Sequence, residues 1–244
     1  MGIGLPALEA LCWAHDRRGL LGKTLQISRQ GLYIGGSDVA RADDALRKYG
    51  RPAYFNMVGG SQTADAQLFP AFGATEIHTS DISAYEGAEI IWDFNDPVPA
   101  EWHERYDTVL DFGSLEHIFN APVALANMMN LVRVGGCLLS VLPANNWLGH
   151  GFYQFGTEMP YRVFHAGNGF EPVFVALFGL NGERRLVEQT DQGASGVRGE
   201  IGLTADQIDL VFCARRISDV RPFRRWPQQG DYAAAWALHE GEAA

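Results

Sequence analysis

Residues 106–117 have the sequence YDTVLDFGSLEH, an apolar segment that runs into a glycine-serine turn and ends in an acid and a histidine. The first half, Tyr106–Asp111, predicts a buried strand because it is short, largely apolar and followed by turn residues. Beyond the turn, residues 121–132 carry apolar side chains at helical spacing, and Gly135-Gly136 ends that helix. The run Cys137–Leu142 is almost entirely apolar, which is typical of a strand covered on both faces. The stretch therefore predicts a strand–helix–strand unit in a buried parallel sheet.

Further elements extend this unit on both sides. Predicted helices cover residues 6–21, 38–49, 64–72 and 157–166, and further predicted strands cover residues 24–28, 76–81, 89–93, 171–180 and 208–215, with a loop or hairpin at 181–203. Strands that alternate with helices indicate a parallel sheet with helices on both faces. The last two strands have no helix between them, so we expect an antiparallel final pair. The predicted fold is a doubly wound, mostly parallel seven-stranded α/β sheet whose last strand is antiparallel, as a reversed edge strand.

Composition sets limits on the class of protein. The chain has 244 residues and a net charge of -10, and an acidic surface repels phosphate, so we expect no nucleic-acid partner. Cys12, Cys137 and Cys213 are few and far apart, which argues against a disulfide framework and favours the reducing cytoplasm. No apolar run approaches the roughly 18 residues that span a bilayer, and the N-terminus lacks a signal-peptide pattern, so we expect no membrane partner.

The chain is expected to form one main domain and a tail. Residues 1–218 would make up the α/β domain, with helix 6–21 at its start and helix 38–49 as an insertion, and residues 219–244 would pack on it as a C-terminal tail.

The tail carries large aromatic side chains at Trp226, Tyr232 and Trp236. Leaving them in water would be unfavourable, so we expect them to dock on the body of the protein. The docking place is either the mouth of the site near His150, which we favour, or the second subunit of a homodimer.

Polar residues follow the predicted strands at the edge where ligands bind in such sheets. Asp81 ends one strand, and an acid there can accept hydrogen bonds from both ribose hydroxyls of a nucleotide. Asp93 and Phe94 follow the next strand, where an acid can bind the exocyclic amine of adenine and an aromatic ring can flank the base. The structural alternatives are a turn cap at Asp81 and an Asx-turn at Asp93 before Pro97.

A second polar cluster follows the apolar strand 137–142. Residues 145–155 read NNWLGHGFYQF, and the amide and aromatic groups of Asn146, Tyr153 and Gln154 could line a pocket for a substrate. His150 suits a general base because imidazole titrates near neutrality. The alternative is a surface loop whose aromatic side chains form a lid or a dimer contact.

Glu116, His117 and His150 offer donors that several divalent metal ions accept. Adjacent residues on a turn rarely point the same way, however, and no fourth ligand is evident in the sequence. We therefore predict no metal.

These motifs together resemble the class I S-adenosylmethionine-dependent methyltransferases. The family has a strand, a Ser-Leu-Glu-His turn, a helix and a Gly-Gly step into the next strand, which here lie at residues 106–111, 114–117, 121–132 and 135–142. The segment 155–171 is similar to the family's helix before its sixth strand. The resemblance covers residues 76–215 and implies a Rossmann-like methyltransferase fold, S-adenosylmethionine as the cofactor and a small-molecule substrate.

The sequence departs from the family in its cofactor loop, because no Gly-x-Gly-x-Gly triplet is present. In one register, residues 24–28 form the first strand and Arg29-Gln30-Gly31 the loop. In the other, residues 55–58 form the strand and Gly59-Gly60-Ser61 the loop. We favour the first because Ser28-Arg29-Gln30 is similar to a Gly-Arg-Gln turn in a related group of methyltransferase-like proteins.

The resemblance implies a role for each candidate residue. The cofactor would contact the turn after the first strand and the ends of the neighbouring strands, at Ser28, Arg29, Gln30, Asp81, Ile82, Asp93, Phe94, Asp111, Phe112 and Gly113. The catalytic candidates are His117, His150 and Glu116. The predicted function is methyl transfer from S-adenosylmethionine to a small molecule, with oxygen as the acceptor atom. The alternatives are a methyltransferase-like binding or assembly protein without catalysis and a nucleotide-binding oxidoreductase, which the missing Gly-x-Gly-x-x-Gly argues against.

Overall fold

The protein, seen here as a computed structural model, is described over residues 2–19, 21–51, 63–65 and 68–242. The strands of these ranges are β1 (Gly2–Ile3), β2 (Gly22–Ile27), β3 (Gly31–Leu32), β4 (Ala74–Asp81), β5 (Ile90–Ile91), β6 (Tyr106–Phe112), β7 (Val132–Asn145), β8 (Phe170–Phe178), β9 (Leu186–Glu188) and β10 (Ile208–Arg216). The α-helices are α1 (Leu5–Arg18), α2 (Asp38–Lys48), α3 (Leu68–Ala71), α4 (Ala121–Leu131), α5 (Glu158–Val163) and α6 (Gly230–Glu242).

The main sheet confirms the predicted doubly wound, mostly parallel class. Its strand order is β5-β4-β2-β6-β7-β10-β8-β9, and β5 through β7 run parallel. Strand β10 is antiparallel to both of its neighbours, β7 and β8. The antiparallel direction of the last strand was thus predicted correctly.

The strand count and the place of the reversed strand were predicted wrongly. The sheet has eight strands among the described residues, because the segment 181–203 contributes the short strand β9 beside β8. The reversed strand β10 lies inside the sheet rather than at its edge. Its central residues, from Leu210 to Ala214, are all buried, and such a strand must be covered on both faces.

The first parallel strand corresponds to the favoured register. Strand β2 lies between β4 and β6, and Leu25 pairs with both His78 and Val109. The alternative strand at 55–58 and its glycine loop lie outside the described residues. Helix α2 is inserted between β3 and the short helix α3, as predicted.

Two apolar layers cover the two faces of the sheet. Helices α1, α2 and α3 bury one face through side chains such as Leu8, Leu46 and Phe69. Helix α4 and the residues around α5 bury the other through side chains such as Met128 and Phe164. At about 25 cal/mol per Å² of apolar surface, this burial is the main favourable term of folding.

Several boundaries differ from the predictions for local reasons. Helix α3 covers only Leu68–Ala71 among the described residues of the predicted 64–72, and it contains Pro70, which has no N–H to continue a helix. Strand β5 is reduced to Ile90–Ile91, next to an Asx-turn at Asp93. No helix among the described residues is long and apolar enough to cross a membrane.

The tail lies on α5 and on the turn at Gly193–Ser195. The backbone N–H of Gly230 donates a 2.6 Å hydrogen bond to Glu158 Oε1, and Arg198 pairs with Asp231 at 2.9 Å. The expected docking of its aromatic rings is only partial: the side chains at 226, 232 and 236 stay about half exposed or more and stack on neighbours within the tail. The division of the chain into a domain and a tail stays a prediction.

Candidate active site

A cavity of about 790 Å³ opens at the edge of the sheet where β6, β7 and β8 end and β10 begins. The N-terminal turn of α1 closes one side of it. Its apolar lining includes Leu5, Phe112, Val141, Leu142 and Phe178. Clefts of this size are the usual place for a small ligand, and the carboxyl edge of a doubly wound sheet is where such ligands bind.

The rim of the cavity is held by an ion pair between two segments that are distant in sequence. Arg184 Nη2 lies 2.7 Å from Asp38 Oδ2, which joins the start of the inserted helix α2 to the loop before β9. Beside it, Asp206 Oδ2 accepts a hydrogen bond of 2.8 Å from the N–H of Gly182. The inserted helix therefore contributes directly to the entrance of the cavity.

The turn after β6 places Glu116 in the wall of the cavity. Gly113 has a φ of 95°, which lets the strand turn sharply into a 3-10 turn at Leu115–His117. Asp111 Oδ1 accepts a 2.8 Å hydrogen bond from the N–H of Ser114, and Ser114 Oγ donates one of 2.8 Å to the carbonyl of Ile27. These contacts lock the turn onto the end of β2.

Two carboxyl groups on this turn are buried. The Glu116 side chain is 1% exposed, and burial together with the nearby Asp111 charge raises the pKa of Glu116 to about 8. Burial also raises the pKa of Asp111 to about 6, against the hydrogen bonds that its carboxylate accepts from the turn. Asp111 Oδ2 and Glu116 Oε2 have no hydrogen-bond partner among the described residues.

Both histidines predicted as catalytic candidates lie beside Glu116. His150 Nε2 is 3.4 Å and His117 Nε2 is 3.8 Å from Glu116 Oε1, and the two imidazole rings contact each other edge to face, 4.9 Å apart. Burial and the neighbouring His150 lower the pKa of His117. The three candidates are thus brought together, with Glu116 and His150 among the residues that line the cavity.

Asp209 also lines the cavity but was missed in the sequence, and beside it lies Trp147 of the predicted segment 145–155. Burial raises the pKa of Asp209 to about 7, partly offset by a hydrogen bond from the Trp147 side chain. The Trp147 indole N–H also donates a 3.1 Å hydrogen bond to the carbonyl of Ile208. An acid at the start of the otherwise apolar strand 208–214 was the signal that could have revealed this position.

The three residues predicted to bind the substrate all make hydrogen bonds within the protein. The Asn146 amide donates to the carbonyl of Asp206 at 2.8 Å, and Gln154 Oε1 accepts from the N–H of Trp147 at 2.9 Å. The Tyr153 hydroxyl donates to the carbonyl of Phe119 at 2.8 Å. These contacts shape the loop 146–154, and the role of its side chains toward a substrate stays a prediction.

The turn after β2 holds the first group of predicted cofactor contacts. Ser28 has a φ of 56°, the left-handed conformation that glycine adopts most readily, and its N–H donates to the carbonyl of Ser80 at 2.7 Å. Arg29 lies across the edge of the sheet, 3.3 Å from Asp65. Gln30 is fully buried, and its side-chain amide donates to the carbonyls of residues 27 and 28.

The next two strand ends hold the second group. Asp81 ends β4, paired with Ile91, and Ile82 beyond it is 66% exposed. Asp93 Oδ1 accepts from the N–H of Asn95 at 2.9 Å, which is the Asx-turn considered as the alternative. Phe94 is 5% exposed and packs in the apolar layer beneath the sheet edge. Contacts of all four residues with a cofactor stay predictions.

Comparison with known proteins gives matches among solved structures alone. No protein-family model matches the chain, and no curated protein matches it.

Three solved structures are similar to the chain over most of its length. A proposed methyltransferase of Bacillus halodurans is 13% identical, with 85% of this chain and 99% of that chain covered and a TM-score of 0.46. The N-methyltransferase NodS of Bradyrhizobium japonicum, in complex with S-adenosyl-L-homocysteine, is 13% identical over 86% and 85% of the two chains, with a TM-score of 0.43.

The third is the 1,6-didemethyltoxoflavin-N1-methyltransferase of Burkholderia thailandensis, solved with 1,6-didemethyltoxoflavin and S-adenosylhomocysteine bound. It is 14% identical over 87% and 80% of the two chains, with a TM-score of 0.36. All three are described as methyltransferases or proposed ones, and class I methyltransferases are the family that the sequence motifs of this chain resemble.

Proposed function

We propose that this protein transfers a methyl group from S-adenosylmethionine to an oxygen atom of a small molecule bound in the cavity. The observation that carries the proposal is the position of the cavity: it borders Phe112 and Gly113 at the end of β6 and contains Glu116 and His150 in its wall. The strand next to β6 is β2, and β4 lies beyond it, so the predicted cofactor residues at the ends of these two strands stand on one side of the cavity.

The residues at these strand ends fit the cofactor. The backbone of Ser28 adopts the left-handed turn that a glycine would otherwise supply, and Asp81 follows at the end of the next strand. Asp111 Oδ2 is buried without a partner among the described residues, and an ammonium group of a ligand would satisfy it. When bound, S-adenosylmethionine supplies an electrophilic methyl group on a sulfonium.

The remaining chemistry concerns position and protons. Methyl transfer is an in-line displacement that depends mainly on holding the two reacting groups in line and close together, and the apolar walls of the cavity would exclude water from them. An acceptor hydroxyl must also lose its proton. The lowered pKa of His117 favours the neutral imidazole, which can accept one, while His150 lines the cavity directly.

Calorimetric titration of the full chain with S-adenosylmethionine, S-adenosylhomocysteine and NAD tests the proposal. We expect both sulfur compounds to bind and NAD not to bind. Binding followed by methyl transfer to a hydroxylated small molecule would support the enzyme. Binding without transfer to any compound of a broad hydroxyl panel would favour a binding or assembly protein instead, and binding of NAD alone would favour an oxidoreductase.

A further inference from the structure

Glu116, His117 and His150 form a compact group of metal-binding side chains at the wall of the cavity. One potential ligand atom from each lies within 4.8 Å of the other two. Glu116 and His117 are adjacent in sequence, but the 3-10 turn directs both side chains to the same side. The structure therefore removes the objection that neighbours on a turn rarely converge.

One oxygen of the buried Glu116 carboxyl group has no hydrogen-bond partner among the described residues. The Glu116 side chain is 1% exposed, and this oxygen is Oε2. Oε1 lies 3.4 Å from one imidazole nitrogen and 3.8 Å from the other, longer than normal hydrogen bonds. A buried carboxyl oxygen without a partner is unfavourable, and a bound cation would satisfy it.

The loop after β7 is packed so that His150 stays beside this carboxylate. The N–H of Phe152 donates a 2.7 Å hydrogen bond to the carbonyl of Glu116. Gly151, which lies between His150 and Phe152 in the chain, has a φ of 75°, and a Cβ atom there would stand 2.7 Å from the Glu116 carbonyl oxygen. The backbone itself thus holds the third member of the group in place.

We propose that Glu116, His117 and His150 bind one divalent transition-metal ion, with its remaining positions open toward the cavity. Two imidazole nitrogens and one carboxylate suit Zn²⁺, Fe²⁺, Co²⁺ or Mn²⁺ and do not suit Ca²⁺, which takes oxygen ligands. The two histidine side chains are 40% and 45% exposed, so they have room to rotate by the short distance that closes the coordination sphere.

The open positions indicate the class of substrate, a step that rests on the function proposed above. An alcohol or phenol oxygen bound to the ion would lose its proton more easily, because a bound cation stabilises the resulting oxyanion. With the ion bound, the two imidazoles would be its ligands instead of the bases considered above, and the proton would pass to water in the cavity mouth. The substrate class is accordingly a small molecule whose acceptor hydroxyl can coordinate a metal.

Metal binding is measured first without any cofactor, on full-length protein that carries no histidine tag and has been treated with a chelator. Calorimetry with ZnCl₂ and visible absorption with CoCl₂ are expected to give one ion per chain. Glu116→Gln and His150→Ala should each weaken Zn²⁺ binding by more than about tenfold. The matched control is His103→Ala, which removes an exposed histidine that follows the 3-10 turn Ala100–Trp102 and does not line the cavity.

The outcomes are distinct. Binding by the wild type and His103→Ala, lost in the other two variants while their circular dichroism stays native, supports the site. Absence of binding in the wild type, or equal binding in all four proteins, overturns it. Because the titration uses no S-adenosylmethionine, a protein that binds metal but transfers no methyl group would refute the proposed function and leave the metal site standing.

Discussion

The backbone N–H of Phe152 donates a 2.7 Å hydrogen bond to the carbonyl oxygen of Glu116, so the loop after β7 lies directly against the turn after β6. This contact joins two segments that follow neighbouring parallel strands. It fixes the distance between the Glu116 carboxylate and the His150 imidazole, on which both the proposed chemistry and the proposed metal site depend. Substitutions that push the two backbones apart should therefore affect the site before they affect the sheet.

Gly151→Ala tests this relationship. A Cβ atom at residue 151 would stand 2.7 Å from the Glu116 carbonyl oxygen, and the φ of 75° is unfavourable for alanine. We expect a loss of about 1–2 kcal/mol in the free energy of unfolding, together with a clear loss of Zn²⁺ affinity. Urea unfolding and calorimetry measure the two effects. Gly149→Ala in the same loop is the matched control, because a Cβ there meets no atom within 4 Å; equal behaviour of the two variants would contradict the prediction.

Ser28 gives a second backbone test, at the turn where the family resemblance led us to expect glycine. Its φ of 56° costs a serine more than a glycine, and a β-branched residue more still. We expect Ser28→Gly to change the free energy of unfolding by less than about 0.5 kcal/mol and Ser28→Val to lower it by about 1–2 kcal/mol. Urea unfolding of both variants checks this. If valine were tolerated as well as glycine, the turn would not need the left-handed conformation.

The parallel half of the fold was predictable because its signals are local. The apolar segment 137–142 and the alternation of strands with helices require burial on both faces, whatever the partner strands are. The position of β10 was not predictable in this way. Which strand lies between two others depends on pairing across the sheet. An apolar run such as Leu210–Ala214 indicates that a strand is buried but not which strands it pairs with.

The residues of the candidate site likewise divide into those that local sequence signals reveal and those that depend on strand pairing. Glu116 and His117 stand out in the sequence because a polar pair follows a buried strand. Asp209 did not, since it belongs to a strand that enters the cavity edge from the opposite direction. The convergence of Glu116 with its neighbour His117 depends on the geometry of a single 3-10 turn, which residue types alone do not specify.

Asp81→Asn tests the predicted ribose contact. The carboxylate stands at the end of β4, next to the turn at Ser28, and an amide would accept hydrogen bonds from hydroxyl groups more weakly. We expect the affinity for S-adenosylhomocysteine to fall by about 1.5–3 kcal/mol, the loss typical of hydrogen bonds to a charged group. Calorimetry with the exposed Asp96→Asn as the control measures this. Unchanged affinity in a folded Asp81→Asn protein would remove the residue from the site.

The half-buried carboxyl group of Asp209 predicts a dependence of stability on pH. Burial raises its pKa from 3.8 to about 7, so the folded protein keeps a proton that the unfolded chain has already released. At a pH below the pKa that Asp209 has in the unfolded chain, its carboxyl group does not lower the free energy of unfolding. Between that pKa and about 7, the free energy of unfolding falls as pH rises, because the folded state must retain or take up the proton.

Asp209→Asn removes this cost, since the amide is neutral at every pH. We expect the variant to gain stability over the wild type at about pH 8, on the order of 1–2 kcal/mol, and to gain clearly less at about pH 5. Urea unfolding at both pH values, with Asp96→Asn as a control for introducing an amide, measures the difference. A gain that is equal at both values, or larger at the lower one, would contradict the burial of this carboxyl group.

Truncation after Trp226 tests where the tail belongs. Helix α6 contacts the turn at Gly193–Ser195 and Glu158, whereas none of the described residues that line the cavity comes from the tail. We therefore expect the truncated protein to keep its affinity for S-adenosylhomocysteine and its rate of methyl transfer. Its free energy of unfolding should fall by about 1 kcal/mol or less, because the lost contacts are an ion pair whose arginine is exposed and a few hydrogen bonds. Loss of turnover at unchanged mass would instead place the tail at the mouth of the cavity, and a change of mass in solution would make it a contact between subunits. The stacked pair of Tyr232 and Trp236, about half exposed, is the surface through which such a contact would form.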